Sequence, residues 1–410
     1  MTAAPASEGR RPERGVIVVR ALTALSENVY LSAIRAGMVA IVPLTIIGGL
    51  FLIVAYLPVM GWDVRVAPYL PVLRIPVTAT FGLLAVFACL SIAYDLGRRL
   101  NQEAIVSASM ATIVFVMLQL DPSGETLRMD GLGSNGLFTA ILIALVTVRV
   151  QKFFADRNFV IRLPATVPPV VYQSFLSLTP LVFLVVSFWL LRFVLGIDIH
   201  GVVQSVFAPL VFALNTLPGI LVYALLVTLL WSIGINGDNA VDAIVAPIFL
   251  QYLAANVAAT TAGQPLPYVT AYGFFTTFVN VGGTGATIAL ALVLWNSREP
   301  GYRKVSRLSL PTQIFQINEP IFFGLPIVLN PIFMVPYVLN ALILTTGSYL
   351  LMQWGVIHKP FVNVPWTTPP VIGHYLVSGG DWRAAVWGAA SIVIAMLVYF
   401  PFARAAERIR

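Results

Sequence analysis

Long apolar runs alternate with short polar stretches along most of this chain. The runs fall at about residues 33–57, 72–96, 104–120, 136–154, 170–195, 206–233, 268–295, 327–354 and 384–402. A helix needs roughly 20 apolar residues to cross the hydrocarbon core. Lipid leaves backbone groups no partner but each other, so spans of this length and composition are helices. The pattern therefore predicts an all-α polytopic membrane protein. The first run, about Ala33 to Leu57, is too long for a cleaved secretory signal.

The pattern breaks in the C-terminal half. Between Ser232 and Gly263, and again between Leu310 and Pro331, Gly, Pro, Asn and charged residues interrupt the apolar positions. Pro320, Pro326, Pro331 and Pro336 recur at short spacing, and each removes a backbone donor. Pro365, Pro369 and Pro370 mark a third irregular stretch. Irregular backbone at membrane depth survives only where protein buries it or where it lines a watery cavity, and secondary transporters bind substrates at such breaks. Three parts are expected: a cytoplasmic N-terminal segment over 1–30, a scaffold half over 31–200 and a substrate-binding transport half over 201–410. The two membrane halves join near residues 196–205.

Composition narrows the class. Of 410 residues, 59% are hydrophobic and 10% charged, and the mean hydropathy is +0.89. So few charges cannot cover a water-facing surface. The formal net charge of +7 is spread along the chain, which disfavours nucleic-acid binding. Basic and acidic loops alternate instead. Arg10, Arg11, Arg14 and Arg20 precede the first run; Arg98 and Arg99 follow the second. Arg149, Lys152, Arg157 and Arg162 surround the end of the fourth, whereas Asp121, Glu125 and Asp130 mark the opposite side. With Arg298, Arg303, Lys304, Arg307, Arg404, Arg408 and Arg410, the positive-inside bias places both termini in the cytoplasm. Cys89 is the lone cysteine, and His200, His358 and His374 are scattered, so no metal or other cofactor is expected. Transport becomes the leading class.

The remaining polar residues carry the candidate chemistry. Glu319 lies in Gln316-Ile317-Asn318-Glu319-Pro320, with apolar runs on both sides. A carboxylate at that depth faces a cavity, a partner or a substrate; the structural alternative is pairing with an arginine of the 298–307 loop. Trp231-Ser232-Ile233-Gly234-Ile235-Asn236-Gly237-Asp238-Asn239, followed by Asp242, is the second cluster. It could be a turn in which Asn and Asp bond to their own backbone. It also holds the amide and carboxylate groups a sugar site needs, and Trp231 and Trp366 could add an aromatic face. Gly282-Gly283-Thr284-Gly285 lacks the Lys-Ser/Thr ending of a nucleotide-phosphate loop and reads better as close packing or a re-entrant turn.

Together these segments resemble the membrane IIC component of the bacterial phosphoenolpyruvate-dependent sugar phosphotransferase system, lactose/cellobiose/diacetylchitobiose type. The resemblance rests on Gln316 through Pro331, on Val364-Pro365-Trp366-Thr367-Thr368-Pro369-Pro370, and on Gly282 through Gly285. Leu163 through Pro169, Gly136-Leu137-Phe138 and Leu25 through Pro43 are similar as well. It implies a homodimer in the bacterial inner membrane, with about ten transmembrane helices per subunit, two re-entrant hairpins and an elevator-like movement of the C-terminal half. It implies that Glu319 holds the sugar hydroxyl that accepts phosphate from a IIB partner. Trp366 and Trp231, with Asn236, Gly237, Asp238, Asn239 and Asn318, are the other substrate-binding positions expected. Family members usually carry Gly-Ile-His-Gly where this chain has Gly234-Ile235-Asn236-Gly237, so a residue that titrates near neutral pH is replaced by one that only hydrogen-bonds. No soluble region holds a cysteine, so the phosphate is expected from a separate polypeptide. Three readings stand: a permease for a β-linked disaccharide coupled to phosphorylation, a non-phosphorylating sugar receptor or facilitator, and a cation-coupled transporter using Asp238, Asp242 and Glu319.

Overall fold

The computed structural model describes residues 28–56, 61–159, 161, 169–325 and 327–409. The N-terminal arginines, Leu25 to Glu27, Arg162, Leu163 to Pro168 and Pro326 lie outside them. Among the described residues the chain is helical, and the only β-type pairing is the isolated Leu120–Leu127 bridge. Among these residues eight helical segments are long and apolar enough to cross a membrane, or nine when a bent pair is taken as one span.

The first half follows the hydrophobic pattern closely. Helix α1 (Val29–Ala55) starts at Asn28, whose side chain accepts from the Tyr30 and Leu31 amides. Helices α2 (Leu70–Phe81) and α3 (Leu84–Arg99) run on as one spanning segment. Helix α3 is the axis of this bundle. Ala85, Ala88, Cys89, Ile92, Ala93 and Leu96 share its buried face, at the spacing that lines up one side of a helix. Gly37 of α1 lies so close to Ile92 that a methyl group there would collide with it, the close approach that small residues allow between membrane helices. Helices α4 (Ala104–Leu118) and α5 (Leu137–Asp156) pack on α3. At 15 residues, α4 is about 22 Å long, shorter than the span read at 104–120. Helix α6 (Pro169–Trp189) ends in a π-turn over Leu190–Val194.

Three expectations change in the second half. The run at 206–233 is a pair, α7 (Ile199–Leu214) and α8 (Leu217–Ser232), bent by 86°. Thr216 makes the corner by capping α8 through the Gly219 amide at 3.2 Å. The stretch from Ser232 to Gly263, read as irregular, is broken only at its start. It then forms the 25-residue helix α9 (Gly237–Thr261). Its buried Asn256 is satisfied by the fold: it donates to the Tyr268 and Pro360 carbonyls at 2.8 and 2.7 Å and accepts from the Tyr268 amide at 3.0 Å. Conversely, the run at 268–295 is not a regular helix. A π-turn over Phe274–Val279 leads into a glycine-rich loop, and helix α10 (Thr287–Leu294) is only eight residues long. Protein surrounds this segment almost completely, as irregular backbone at membrane depth requires.

The remaining elements are α11 (Pro300–Ile314), α12 (Glu319–Gly324), α13 (Pro331–Gln353), α14 (Ile372–Val377) and α15 (Trp382–Ile409). As predicted from its prolines, the stretch between α13 and α14 is non-helical. It is tied to α1 through the buried Asn363–Thr45 hydrogen bond of 2.6 Å.

Candidate functional site

The first wall of the site is the turn from α8 into α9. Gly234 takes φ +87°, a left-handed conformation that glycine adopts at low cost. Asn236 then caps α9, its side-chain oxygen accepting from the Asn239 amide at 2.9 Å. Gly237 follows where any Cβ would strike the Val227 carbonyl of α8. The turn reading for Asn236 is thus realised, and it serves a purpose: it delivers Asp238 into the interior.

Asp238 gathers three donors. The Trp231 indole N–H and the Thr284 hydroxyl both donate to its Oδ2 at 2.8 Å, and the Asn280 amide donates to Oδ1 at 3.3 Å. Charge-assisted bonds of this kind hold a carboxylate where apolar surroundings alone would not. They join α8, α9 and the glycine-rich loop at one point.

That loop is the second wall. Gly282, Gly283 and Gly285 have φ of +72°, +106° and +72°. Side chains would not fit: a Cβ on Gly283 would overlap Asn318, and one on Gly285 would overlap the Tyr337 ring. Two consecutive amides, of Gly282 and Gly283, point at the Gln316 side-chain oxygen at 2.6 and 3.1 Å. Asn318 donates to the Thr284 carbonyl at 3.2 Å. The loop that resembles a phosphate cradle is therefore filled by the protein's own amide.

Glu319 opens α12 immediately after Asn318, with Pro320 in the first turn, where its missing N–H costs nothing. Its side chain is exposed. Among the described residues no salt bridge reaches it, and Arg303 and Arg307 of the 298–307 stretch bond elsewhere. Arg303 donates to the Ser297 carbonyl and Arg307 to the Trp295 carbonyl and Asn296. The carboxylate stands open beside the network, an acceptor available to a hydroxyl. Leu329, just past α12, donates its amide to the Ser232 carbonyl at 3.0 Å and closes the wall against the first turn.

Comparison with known proteins fits this arrangement. The profile of the family described as "Phosphotransferase system, EIIC" matches residues 35–341. The chain belongs to this family. This IIC component is 35% identical over 405 residues to the PTS system cellobiose-specific EIIC component of Geobacillus stearothermophilus, covering 92% of the chain and 90% of the relative. It is 34% identical over 400 residues to the lichenan permease IIC component of Bacillus subtilis (strain 168), covering 92% and 88%. In structure it is similar to the transporter ChbC, the IIC component of the N,N'-diacetylchitobiose-specific phosphotransferase system. The TM-score is 0.90, with 32% identity and 97% of each chain covered.

The positions anticipated in this IIC component do not all have the same surroundings. Asp238 and Asn318 meet through Thr284, whose hydroxyl donates to Asp238 and whose carbonyl accepts from Asn318; Glu319 is joined to them only as the next residue after Asn318 and is exposed. Asn236 and Gly237 build the turn, and Asn239 is exposed beside it. The two tryptophans differ sharply. Trp231 is 4% exposed, set edge-on against Phe322 of α12 with centroids 5.1 Å apart, and its N–H is spent on Asp238. Trp366 is 57% exposed at the tip of a turn closed by the Thr368 amide and hydroxyl on the Pro365 carbonyl, at 2.9 and 2.6 Å. Asp242, one turn beyond Asp238, is half-buried within reach of the Arg35 guanidinium of α1. Sequence reasoning missed the organising roles of Thr284, Asn280 and Gln316. The glycine pattern beside Thr284 and the place of Gln316 in the Glu319 segment were the available signals.

Proposed function

We propose that this IIC component carries a β-linked disaccharide of the cellobiose or diacetylchitobiose kind across the bacterial inner membrane and presents it for phosphorylation. The exposed Glu319 carboxylate, held at the edge of the Asp238–Thr284–Asn318 network, is the observation that carries the reading. A sugar hydroxyl donates to Glu319, which takes its proton as the oxygen attacks phosphorus. The phosphorus–sulfur bond of a IIB phosphocysteine breaks, and the thiolate leaves. Exposed Trp366 offers the flat face that the C–H side of a pyranose ring covers, while the amides and carboxylate around Asp238 fix orientation. Residues 31–200 form the scaffold of a homodimer within the lipid bilayer, residues 201–410 form the moving, sugar-binding half, and both termini lie in the cytoplasm.

The names of the relatives support the substrate class, since cellobiose and diacetylchitobiose are both β-linked disaccharides. The test is accumulation of labelled sugar phosphate by vesicles supplied with a phosphorylated IIB protein. Cellobiose or diacetylchitobiose phosphate is the expected product. No accumulation across a panel of β-linked disaccharides would refute the proposal.

A further inference from the structure

One side chain links the glycine-rich wall to the Trp366 turn. Gln316 is 7% exposed and has φ +68°, a left-handed conformation that a residue with a Cβ adopts only where its surroundings impose it. Its oxygen accepts from the Gly282 and Gly283 amides, as described above. Its Nε2 donates to the Thr368 carbonyl at 3.4 Å. Gln316 therefore touches the glycine loop with one end and the Trp366 turn with the other, three residues before Glu319. The glycine amides accept no substitute from their own sequence, because a Cβ on Gly282 would run into Ile288 and one on Gly283 into Asn318.

We propose that Gln316 is the positioning residue that sets the Trp366 turn against the Glu319 segment, so that the aromatic face and the acceptor carboxylate engage one sugar. This rests on the permease reading. The two ends of the amide separate the two functions. In Gln316→Glu one carboxylate oxygen still accepts from both glycine amides, while the other faces the Thr368 carbonyl with no proton to give. That variant releases the tryptophan turn alone. Gln316→Leu releases both sides.

Hydrogen exchange on the full chain in nanodiscs reads the bracket without any sugar. In Gln316→Glu the Thr368 and Gly373 amides exchange about ten-fold faster, the effect of losing one hydrogen bond, while the Gly282 and Gly283 amides keep their protection. In Gln316→Leu all four exchange faster. Unchanged Thr368 exchange in Gln316→Glu overturns the proposal, and that variant alone decides should Gln316→Leu not assemble. With sugar and phosphorylated IIB, Gln316→Glu raises KM about ten-fold while kcat is held. The rise is absent in a Trp366→Ala background, because coupled residues are not additive. An equal KM rise in both backgrounds also overturns it. A wild-type chain that phosphorylates no sugar, with the exchange pattern as expected, sinks the permease reading and leaves the bracket standing.

Discussion

The α1–α5 bundle and the segment from Phe274 to Val371 handle the same difficulty, polar backbone at membrane depth, in opposite ways. In the bundle the helices satisfy themselves, and small residues such as Gly37, Ala88 and Ala93 bring them together. Its two left-handed non-glycine residues, Asn101 and Asn158, are of the type that adopts that conformation most readily. In the second segment the left-handed non-glycine residues are Ala286, Gln316, Leu329 and Val371, none of which favours it. Here tertiary hydrogen bonds hold two of them, Gln316 on the Gly282 and Gly283 amides and Leu329 on the Ser232 carbonyl, while Val371 donates its amide to the His374 ring within its own turn at 3.3 Å. Strain is thus concentrated in the loops around Glu319 and Trp366, where a functional site can use it. Regular helices tolerate change at their outer faces; a backbone held by side chains does not.

The largest test of this contrast is chemical. Glu319→Gln keeps the shape of α12 and removes the base, so sugar phosphate formation should fall by about 10²–10⁴-fold while protein yield and sugar binding change little. Rate measurement at saturating sugar checks it. A wild-type rate would move the acceptor role away from this carboxylate.

Next comes the steric contrast. Gly285→Ala forces a Cβ into the Tyr337 ring at a left-handed residue and should cost about 1–3 kcal/mol or more, read as a lower midpoint of thermal unfolding in detergent. Gly124→Ala has the same sign of φ, +76°, but nothing within 4 Å, so it should lose about 1 kcal/mol. Equal losses would show that backbone strain, and not the packed loop, limits stability there.

Asp238→Asn tests the hub at similar size. An amide accepts on one atom only, so Asn280 must turn its own amide or lose its partner, and the neutral group gives the Trp231 and Thr284 donors a weaker acceptor. Hydrogen bonds to a charged group contribute about 1.5–3 kcal/mol, and sugar affinity measured by calorimetry should drop by about 10–100-fold. Unchanged affinity would reduce Asp238 to a structural role remote from the sugar.

The smallest effect is expected at the cap. Asn236→Ala removes the bond to the Asn239 amide and should lower stability by about 1 kcal/mol. Phosphorylation should fall only as far as the turn loosens. A loss of phosphorylation as deep as that of Glu319→Gln would instead give Asn236 a direct part in the chemistry.

Much of this was legible along the chain. Apolar runs located the spans, and the Glu319 and Pro-Trp-Thr-Thr-Pro segments stood out because charge and proline are expensive in lipid. What misled was polarity inside a helix. Asn236, Asp238, Asp242, Pro247 and Asn256 make α9 look broken, yet Asn256 finds its partners 12 and 104 residues away, a distance no local pattern reports. The opposite error occurred at 268–295, where apolar residues hide a π-turn and a glycine loop because protein, not helix geometry, satisfies that backbone.

The sequence by itself determined a helical membrane protein of this family with a carboxylate at Glu319, since hydrophobic period and residue cost are local properties. Only the tertiary structure decided which tryptophan is buried and which is exposed. It also decided that Asn236 is a cap, that Thr284 joins the two walls, and that Gln316 ties the glycine loop to the Trp366 turn. Each of these depends on which distant donor meets which acceptor, and packing alone settles that.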